Sequence, residues 1–389
     1  MSTPQAPAKS APQGGQTPNA PVLAPWSFPV GVLGTENQSD YQNSLAHTAA
    51  VQNFPDVKVQ PDGWLRGMWF DINCVTAANA ATVAFQPDAP FNAIDTVLFR
   101  DTGGEQIFGP FNGYDWMTTN KFGAYHAQGD PRADNQFTAV AGSGGTGGSY
   151  HFTLYLPLEI AAADALGDVE NRSENSIYRV SITLAATATV YSTAPTTPGT
   201  VTVTTTQDSY TEPVAAMSLG GRSVSTAPPS PGTLQYWKQE QVAVPAAAFS
   251  ALITNGIGNG YRNVLFKLVR NAGTRANGDA DFPDPFEVTL GTTRTRLYKK
   301  ATWKDKTQRH FEFVGVANDT ALNLENGVFP MIFTQDVGIK PGDEARRRYQ
   351  RTKTGNTYKT RGTYANAGLL SITSNYIVPR GNDFSQVVA

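Results

Sequence analysis

The chain is short of charge, cysteine and histidine, and each shortage closes off a class of function. Asp, Glu, Lys and Arg make up 16% of its 389 residues, against the ~25% usual for soluble domains. Much of the surface must therefore be uncharged polar, or covered by other subunits. The net charge is -2, so no long-range field draws the chain to nucleic acid, and no sequence-specific nucleic-acid binding is expected. The single cysteine, Cys74, allows no intrachain disulfide and no multi-cysteine metal site. His47, His126, His151 and His310 lie in unrelated segments without the HExxH spacing of a zinc enzyme, so each reads as a surface or strand-face histidine. No run approaches the ~18 consecutive apolar residues of a membrane span. The N-terminus also lacks the charged segment and apolar run of a signal peptide. The expected product is soluble and made in the cytoplasm.

Catalytic motifs are equally scarce, and no cofactor and no enzymatic activity are expected. The glycine run GSGGTGG (142–148) lacks the Lys-Ser/Thr of a phosphate-binding loop and reads as a hairpin loop. There is no GxSxG nucleophile elbow. Asp279, Asp281 and Asp284 offer oxygens to Ca²⁺, but without the regular spacing of a calcium loop. The neighbouring Pro283 and Pro285 favour a plain turn. A glycosidase needs only two carboxylates ~5–9 Å apart, and nothing picks out such a pair.

What the chain does have is the punctuation of an all-β protein. The 36 glycines and 26 prolines are spread along the whole length, with Thr, Val, Tyr and Phe in short runs between them. Residues 1–25 are rich in Pro, Ala, Gln and Gly and cannot bury enough surface to offset the entropy of ordering. Together with the segment after them they read as an extended arm, 1–54, with a short helix expected around 41–50. SYHFTLYLPLEI (149–160) places Phe152, Leu154, Leu156 and Leu158 on one face. IYRVSITLAATATVY (177–191) does the same with Tyr178, Val180, Ile182 and Leu184. This is the period-2 pattern of strands buried on one side. The Ala-rich 161–166 between them suits a short helix.

Further strands are read at 65–75, 82–86, 93–101, 105–111, 200–208 and 234–244. A helix is read at 112–122, and a helix start at Pro245 in PAAAFSALI (245–253). A second series follows at 261–273, 286–291, 294–303, 309–317, 327–336 and 368–379. About eight strands on each side of roughly residue 240 make two sandwiches the economical fold.

Four features give this order a resemblance to the double jelly-roll major capsid proteins of tailless icosahedral viruses, the tectivirus–adenovirus lineage. A polar arm precedes GWLRGMWFDINCV (63–75). AIDTVLFRDTGGEQIFGPF (93–111) runs into the aromatic GYDWMTTNKFGAY (113–125). YLPLEIAAADALGD and NSIYRVSITLA (155–185) look like the strand F–helix–strand G element of those rolls. MIFTQDVGIKPGD (331–343) precedes the late strand YANAGLLSITSNYIVPR (364–380).

The resemblance implies two consecutive eight-stranded jelly rolls, a first at 55–245 and a second at 246–380, with a tail at 381–389. It implies a homotrimer of pseudo-hexagonal footprint that tiles an icosahedral shell, usually over an internal membrane that the N-terminal arm faces. The partners would be neighbouring capsomers and minor capsid or vertex proteins, and the location the virion.

The one electrostatic anomaly is the basic segment with Arg346, Arg347, Arg348, Arg351, Lys353, Lys359 and Arg361. It reads either as a contact for lipid headgroups, packaged nucleic acid or a neighbouring subunit, or as a solvated loop partly offset by Asp343 and Glu344. A carbohydrate-binding or carbohydrate-active sandwich, stacking sugars on Trp64 or Trp69, is the alternative function.

Overall fold

The alternation read in the sequence is realised as sheet. The structure, a computed structural model, describes residues 34–77, 82–123, 134–142, 146–161, 165–175, 177–213, 218–219, 222–228, 234–270, 275, 278–311, 326–333 and 349–378. The main strands of the first half are β1 (Gly34–Ala46), β2 (Gln52–Asn53), β3 (Val57–Lys58), β4 (Trp64–Val75), β5 (Ile94–Arg100) and β6 (Gln106–Phe111). Helix α1 (Gly113–Phe122) follows, then β7 (Tyr150–Pro157), β8 (Arg179–Leu184) and β9 (Thr200–Tyr210). The second half has β10 (Leu234–Val244), β11 (Ala248–Leu252), β12 (Gly260–Arg270), β13 (Phe286–Leu290) and β14 (Thr293–Tyr298). It ends with helix α2 (Lys300–Phe311), β15 (Val328–Ile332), β16 (Tyr358–Thr363) and β17 (Gly368–Val378).

In each half the strands are divided between two facing sheets. One sheet of the first half runs β1–β9–β4–β7; the other runs β8–β5–β6, with β2 and β3 both on the free side of β8. In the second half the sheets are β10–β17–β12–β15 and β11–β16–β13–β14. Counting β2 and β3 as one interrupted strand, each half is an eight-stranded sandwich with the same order. The first, eighth, third and sixth strands form one sheet; the second, seventh, fourth and fifth form the other. The halves join edge to edge, because β6 pairs in parallel with β10 at Phe108 and Trp237, which makes one continuous sheet through both.

Side-chain alternation fills both cores. On β4, Met68, Phe70, Ile72 and Cys74 point inward and are at most 1% exposed. Each such apolar side chain contributes roughly 1.5–3 kcal/mol of burial. They face the other sheet, where Val180, Ile182 and Leu184 of β8 are equally buried. Strands β7 and β8 therefore lie in opposite sheets across one core, each with the buried face that the alternation predicts. On the central β9, Val201 and Val203 point in, and Thr202, Thr204 and Thr206 point out, half-buried.

Several expectations are corrected. Residues 41–50 form no helix; 34–46 are β1, paired along β9 from Gly34↔Tyr210 to Ala46↔Thr200. The first sandwich thus starts inside the segment read as an arm, because a polar strand needs only a ladder partner and one buried edge to be held. Strand β10, expected to end the first roll, pairs with β17 over its whole length, so its ladder belongs to the second. The segment 248–252 is strand, not helix: β11 pairs with β16, and Ala251 faces in while Ala248, Ser250 and Leu252 face out.

At 300–311 the expected strands 294–303 and 309–317 give way to α2. Its buried residues Trp303, Thr307 and Phe311 recur every four positions, not every two. Ala161 and Leu166 close a tight loop through an isolated bridge, with Ala165 at φ 52°. Ile160, Ala161 and Leu166 pack there on Tyr349 and Ile377 of the second half. Residues 162–164 lie outside the described residues. The strands flanking that loop are the sixth and seventh of the first sandwich. The helix between the fifth and sixth strands is α1, and its counterpart in the second sandwich is α2.

Candidate assembly site

The feature that organises the molecule is α1, at the junction of the halves. Its sequence, GYDWMTTNKF, is as polar as a surface helix, yet all ten residues are buried. Asn112 caps it, its Oδ1 accepting the Asp115 N–H at 2.8 Å. Gly113 is obligatory at its start: a Cβ there would lie 1.8 Å from the Phe91 carbonyl oxygen. One side of the helix closes the first sandwich. Trp116 packs edge-on against Phe70 and Phe108, and its Nε1–H donates to the Tyr155 carbonyl at 2.7 Å. Asn120 completes the seal by accepting the Tyr155 N–H at 2.8 Å and donating to its carbonyl at 2.6 Å. Sheet edges otherwise leave such groups unpaired.

The other side of α1 lies on the outward face of β10, β17 and β12. Lys267 forms an ion pair with Asp115, both almost fully buried, and Gln239 donates to Asp115 Oδ2 at 2.9 Å and to Thr373 Oγ1 at 3.1 Å. Arg262 donates to the Gly123 carbonyl at 2.9 Å, and Asn263 to that of Phe122 at 3.3 Å. Arg275 bridges the halves at Asp88 (2.7 Å) and lies 4.5 Å over the Tyr114 ring. A buried pair is costly to break from one side, so these contacts make the two sandwiches one rigid unit.

The second helix repeats the inner half of this arrangement only. Trp303 is the fourth residue of α2, as Trp116 is of α1. It packs against Phe266, Phe286 and Phe329, and its Nε1–H donates to the Pro330 carbonyl at 2.8 Å. Tyr155 and Pro330 sit on equivalent strands, opposite Trp69 and Leu265 respectively. Pro330 has no N–H to satisfy, so α2 needs no counterpart to Asn120. The paired tryptophans were missed in the sequence; the signal was a Trp four residues into a polar segment after the fifth strand of each half.

The basic residues singled out in the sequence are not gathered into one described patch. Arg346, Arg347 and Arg348 lie outside the described residues. Arg351 is exposed on a short strand beside Gly260, in the sheet of β12. Lys353 is exposed in the following turn. Lys359 and Arg361 sit on β16 in the other sheet, where Arg361 lines an open groove of 440 Å³ with Phe249, Ser250, Asp284 and Glu287. Asp281 is held by Arg270 and Asn366, and these partners depress its carboxyl below the usual range. No group of three or more metal-ligating side chains occurs among the described residues.

His47 corrects the expectation of surface histidines. It is fully buried beside Tyr150 and Tyr191. Its Nε2–H donates to the Ala185 carbonyl at 3.1 Å, and burial pushes its pKa down to about 4. His151, by contrast, pairs with Asp71 on the outward face of the first sheet. Trp64, a proposed sugar platform, is 3% exposed and cannot stack on a ligand.

Neither a family model nor a curated protein sequence matches the chain. The likeness lies in structure. The major capsid protein of Sulfolobus turreted icosahedral virus superposes with a TM-score of 0.58 at 12% identity, over 92% of this chain and 99% of that one. The major capsid protein P2 of bacteriophage PM2 gives 0.53 at 8% identity, over 90% and 99%. The capsid of the virus PBCV-1 gives 0.52 at 10% identity, over 88% and 93%. Two eight-stranded sandwiches of one strand order, joined through a sheet and a buried helix, are the double jelly-roll fold of these major capsid proteins.

Proposed function

We propose that the chain is a structural major capsid subunit that assembles into trimers of pseudo-hexagonal outline and, through them, into an icosahedral shell. The observation that carries this reading is the match of both sandwiches, over nine-tenths of the chain, to capsid proteins matched over their whole length. The interior supports it: at the junction the side chains of Asp115, Lys267, Gln239 and Arg275 hold the halves together. The low charge suits large subunit contacts, since burying unpaired charges in an interface is costly. We take residues 34–210 as the first roll and 234–378 as the second, a reading supported by the pairing of β10 with β17 along its whole length. Residues 1–33 and Arg351, Lys353 and the neighbouring arginines are then candidates for contacts with a membrane or with neighbouring capsomers.

The test is sedimentation velocity with negative-stain imaging of the purified full-length protein. Trimers with a pseudo-hexagonal outline are expected. A chain that stays monomeric at every concentration overturns the proposal.

A further inference from the structure

The β3–β8–β5–β6 sheet of the first sandwich turns one face to the core, and alternation fixes which side chains stand on the other. Val57, Val180 and Phe99 are fully buried. Their chain neighbours Lys58, Arg179 and Arg100 therefore point outward, and all three are exposed. The pairing then sets these cations side by side. Arg179 of β8 lies opposite Lys58 of β3 on one flank and opposite Arg100 of β5 on the other. Residues directly opposite in an antiparallel ladder have Cα atoms roughly 4.5–5.5 Å apart. Three positive charges thus stand in one row across three adjacent strands. The row lies at the rim of the sheet, since Lys58 and Arg100 end their strands and Arg179 begins its own.

Like charges set opposite each other destabilise a sheet unless a counter-charge offsets them. The chain supplies little. Asp56 reaches only one of the three: its Oδ2 lies 4.0 Å from Arg179 Nη1, and its Oδ1 accepts the Ser181 hydroxyl at 2.8 Å. The side chains of Lys58 and Arg100 have no ion-pair or hydrogen-bond partner among the described residues. Asp101 and Glu105 stand in the turn after β5 but are engaged elsewhere. Asp101 Oδ1 accepts the Glu105 N–H at 2.7 Å, and Glu105 faces Lys238 of β10 at 3.8 Å. On β6 the row continues with Gln106, a neutral amide opposite Arg100.

The equivalent sheet of the second sandwich is arranged differently. There Arg361 of β16 lies between Ser250 of β11 and Glu287 of β13, so an acid stands beside the cation in register. One sandwich matches its outward arginine with a carboxylate. The other sets three cations together against a single, distant one.

We infer that Lys58, Arg100 and Arg179 form a binding site for a phosphate-type oxyanion. Each guanidinium fork matches two oxygens of a tetrahedral anion, and the lysine adds a mobile point charge. An anion over the central Arg179 is within reach of the long side chains on both flanks. It turns mutual repulsion into shared attraction, which offsets the cost of the row. A free ion and an anionic lipid headgroup present the same chemical group, and experiment separates them. The site belongs to the single chain and is independent of the proposed assembly.

The test is isothermal titration of the full-length protein with inorganic phosphate at low ionic strength, wild type beside K58Q/R100Q/R179Q. The wild type is expected to bind, and the triple variant to bind at least about tenfold more weakly. Arg100→Gln alone is expected to lose part of the affinity. In chloride buffer the unfolding midpoint of the triple variant is expected to hold or rise slightly, because repulsion is relieved. A clear fall shows that the cations are already satisfied within the chain, and overturns the inference. Vesicles of phosphatidylglycerol, with phosphatidylcholine as control, form the second arm. Binding to the former alone, lost in the triple variant and without uptake of free phosphate, assigns the group to a headgroup. Equal binding by wild type and triple variant, or binding of neither probe, overturns the inference.

Discussion

Helices α1 and α2 occupy the same place in two sandwiches of one design, and their difference shows how much of a helix's fate lies outside it. Both put a tryptophan at the fourth position and send its N–H to a backbone carbonyl of the sixth strand. Both are rich in polar residues. Yet α1 is wholly buried because a second sandwich stands against it, whereas α2 leaves charged residues such as Asp305 and Arg309 in solvent, paired to each other at 3.1 Å. Such an exposed i,i+4 pair is worth only about 0.3–0.5 kcal/mol. The Asp115–Lys267 pair under α1 is of another class, since neither partner can be hydrated if the other is lost.

The largest effect expected is from the tryptophans. Trp116→Ala and Trp303→Ala should each cost about 3–5 kcal/mol in urea unfolding, through the cavity left and the carbonyl stripped of its donor. If one were nearly neutral, the two helices would not be equivalent.

Lys267→Ala should cost a similar 3–5 kcal/mol, because it strands Asp115 without a counter-charge. Placing an aspartate at the matching position of α2, Thr302→Asp, should change the stability of the free chain by no more than about 0.5 kcal/mol. Equal costs for Lys267→Ala and Thr302→Asp would erase the contrast between a covered and an open helix.

A last effect, somewhat smaller than those of Trp116→Ala and Lys267→Ala, separates the halves by pH. His47 in the first sandwich is neutral when folded, with its pKa pushed down to about 4, and takes up a proton near 6.5 once unfolded. Its contribution to stability is therefore complete above pH 6.5 and is lost as the pH falls toward 4, about 3 kcal/mol in all. His47→Gln, which keeps a donor for the Ala185 carbonyl, should flatten this part of the acid limb in thermal melts. A wild-type melting curve that is level between pH 6.5 and 4 would contradict the burial of a neutral ring.

The fold was largely legible wherever one face of a strand is apolar. Met68, Phe70, Ile72 and Cys74 on β4, or Val180, Ile182 and Leu184 on β8, announce both the strand and the side that is buried. Strand β1 was not legible, since GTENQSDYQNSLA sends only Tyr41 and Leu45 toward the core and is otherwise held by its ladder to β9. Helix α2 was read as strand because its short apolar runs hid a four-residue spacing of Trp303, Thr307 and Phe311. The junction was invisible for a related reason: Asp115, Asn120 and Lys267 are residue types of an exposed surface, and only the second sandwich standing over α1 makes them interior. Of the basic residues singled out, Arg351 and Arg361 fall in different sheets, a separation that closeness in sequence conceals.

By itself, then, the sequence determined that this is an all-β protein of two similar halves, low in charge and without a recognisable catalytic motif. Those properties follow from local alternation and composition, which act residue by residue. The tertiary structure decided where the first sandwich begins, to which half β10 belongs, and which of two like helices is covered. Each of those outcomes depends on pairing between segments far apart in the chain, where a polar side chain is surface or core according to what stands against it.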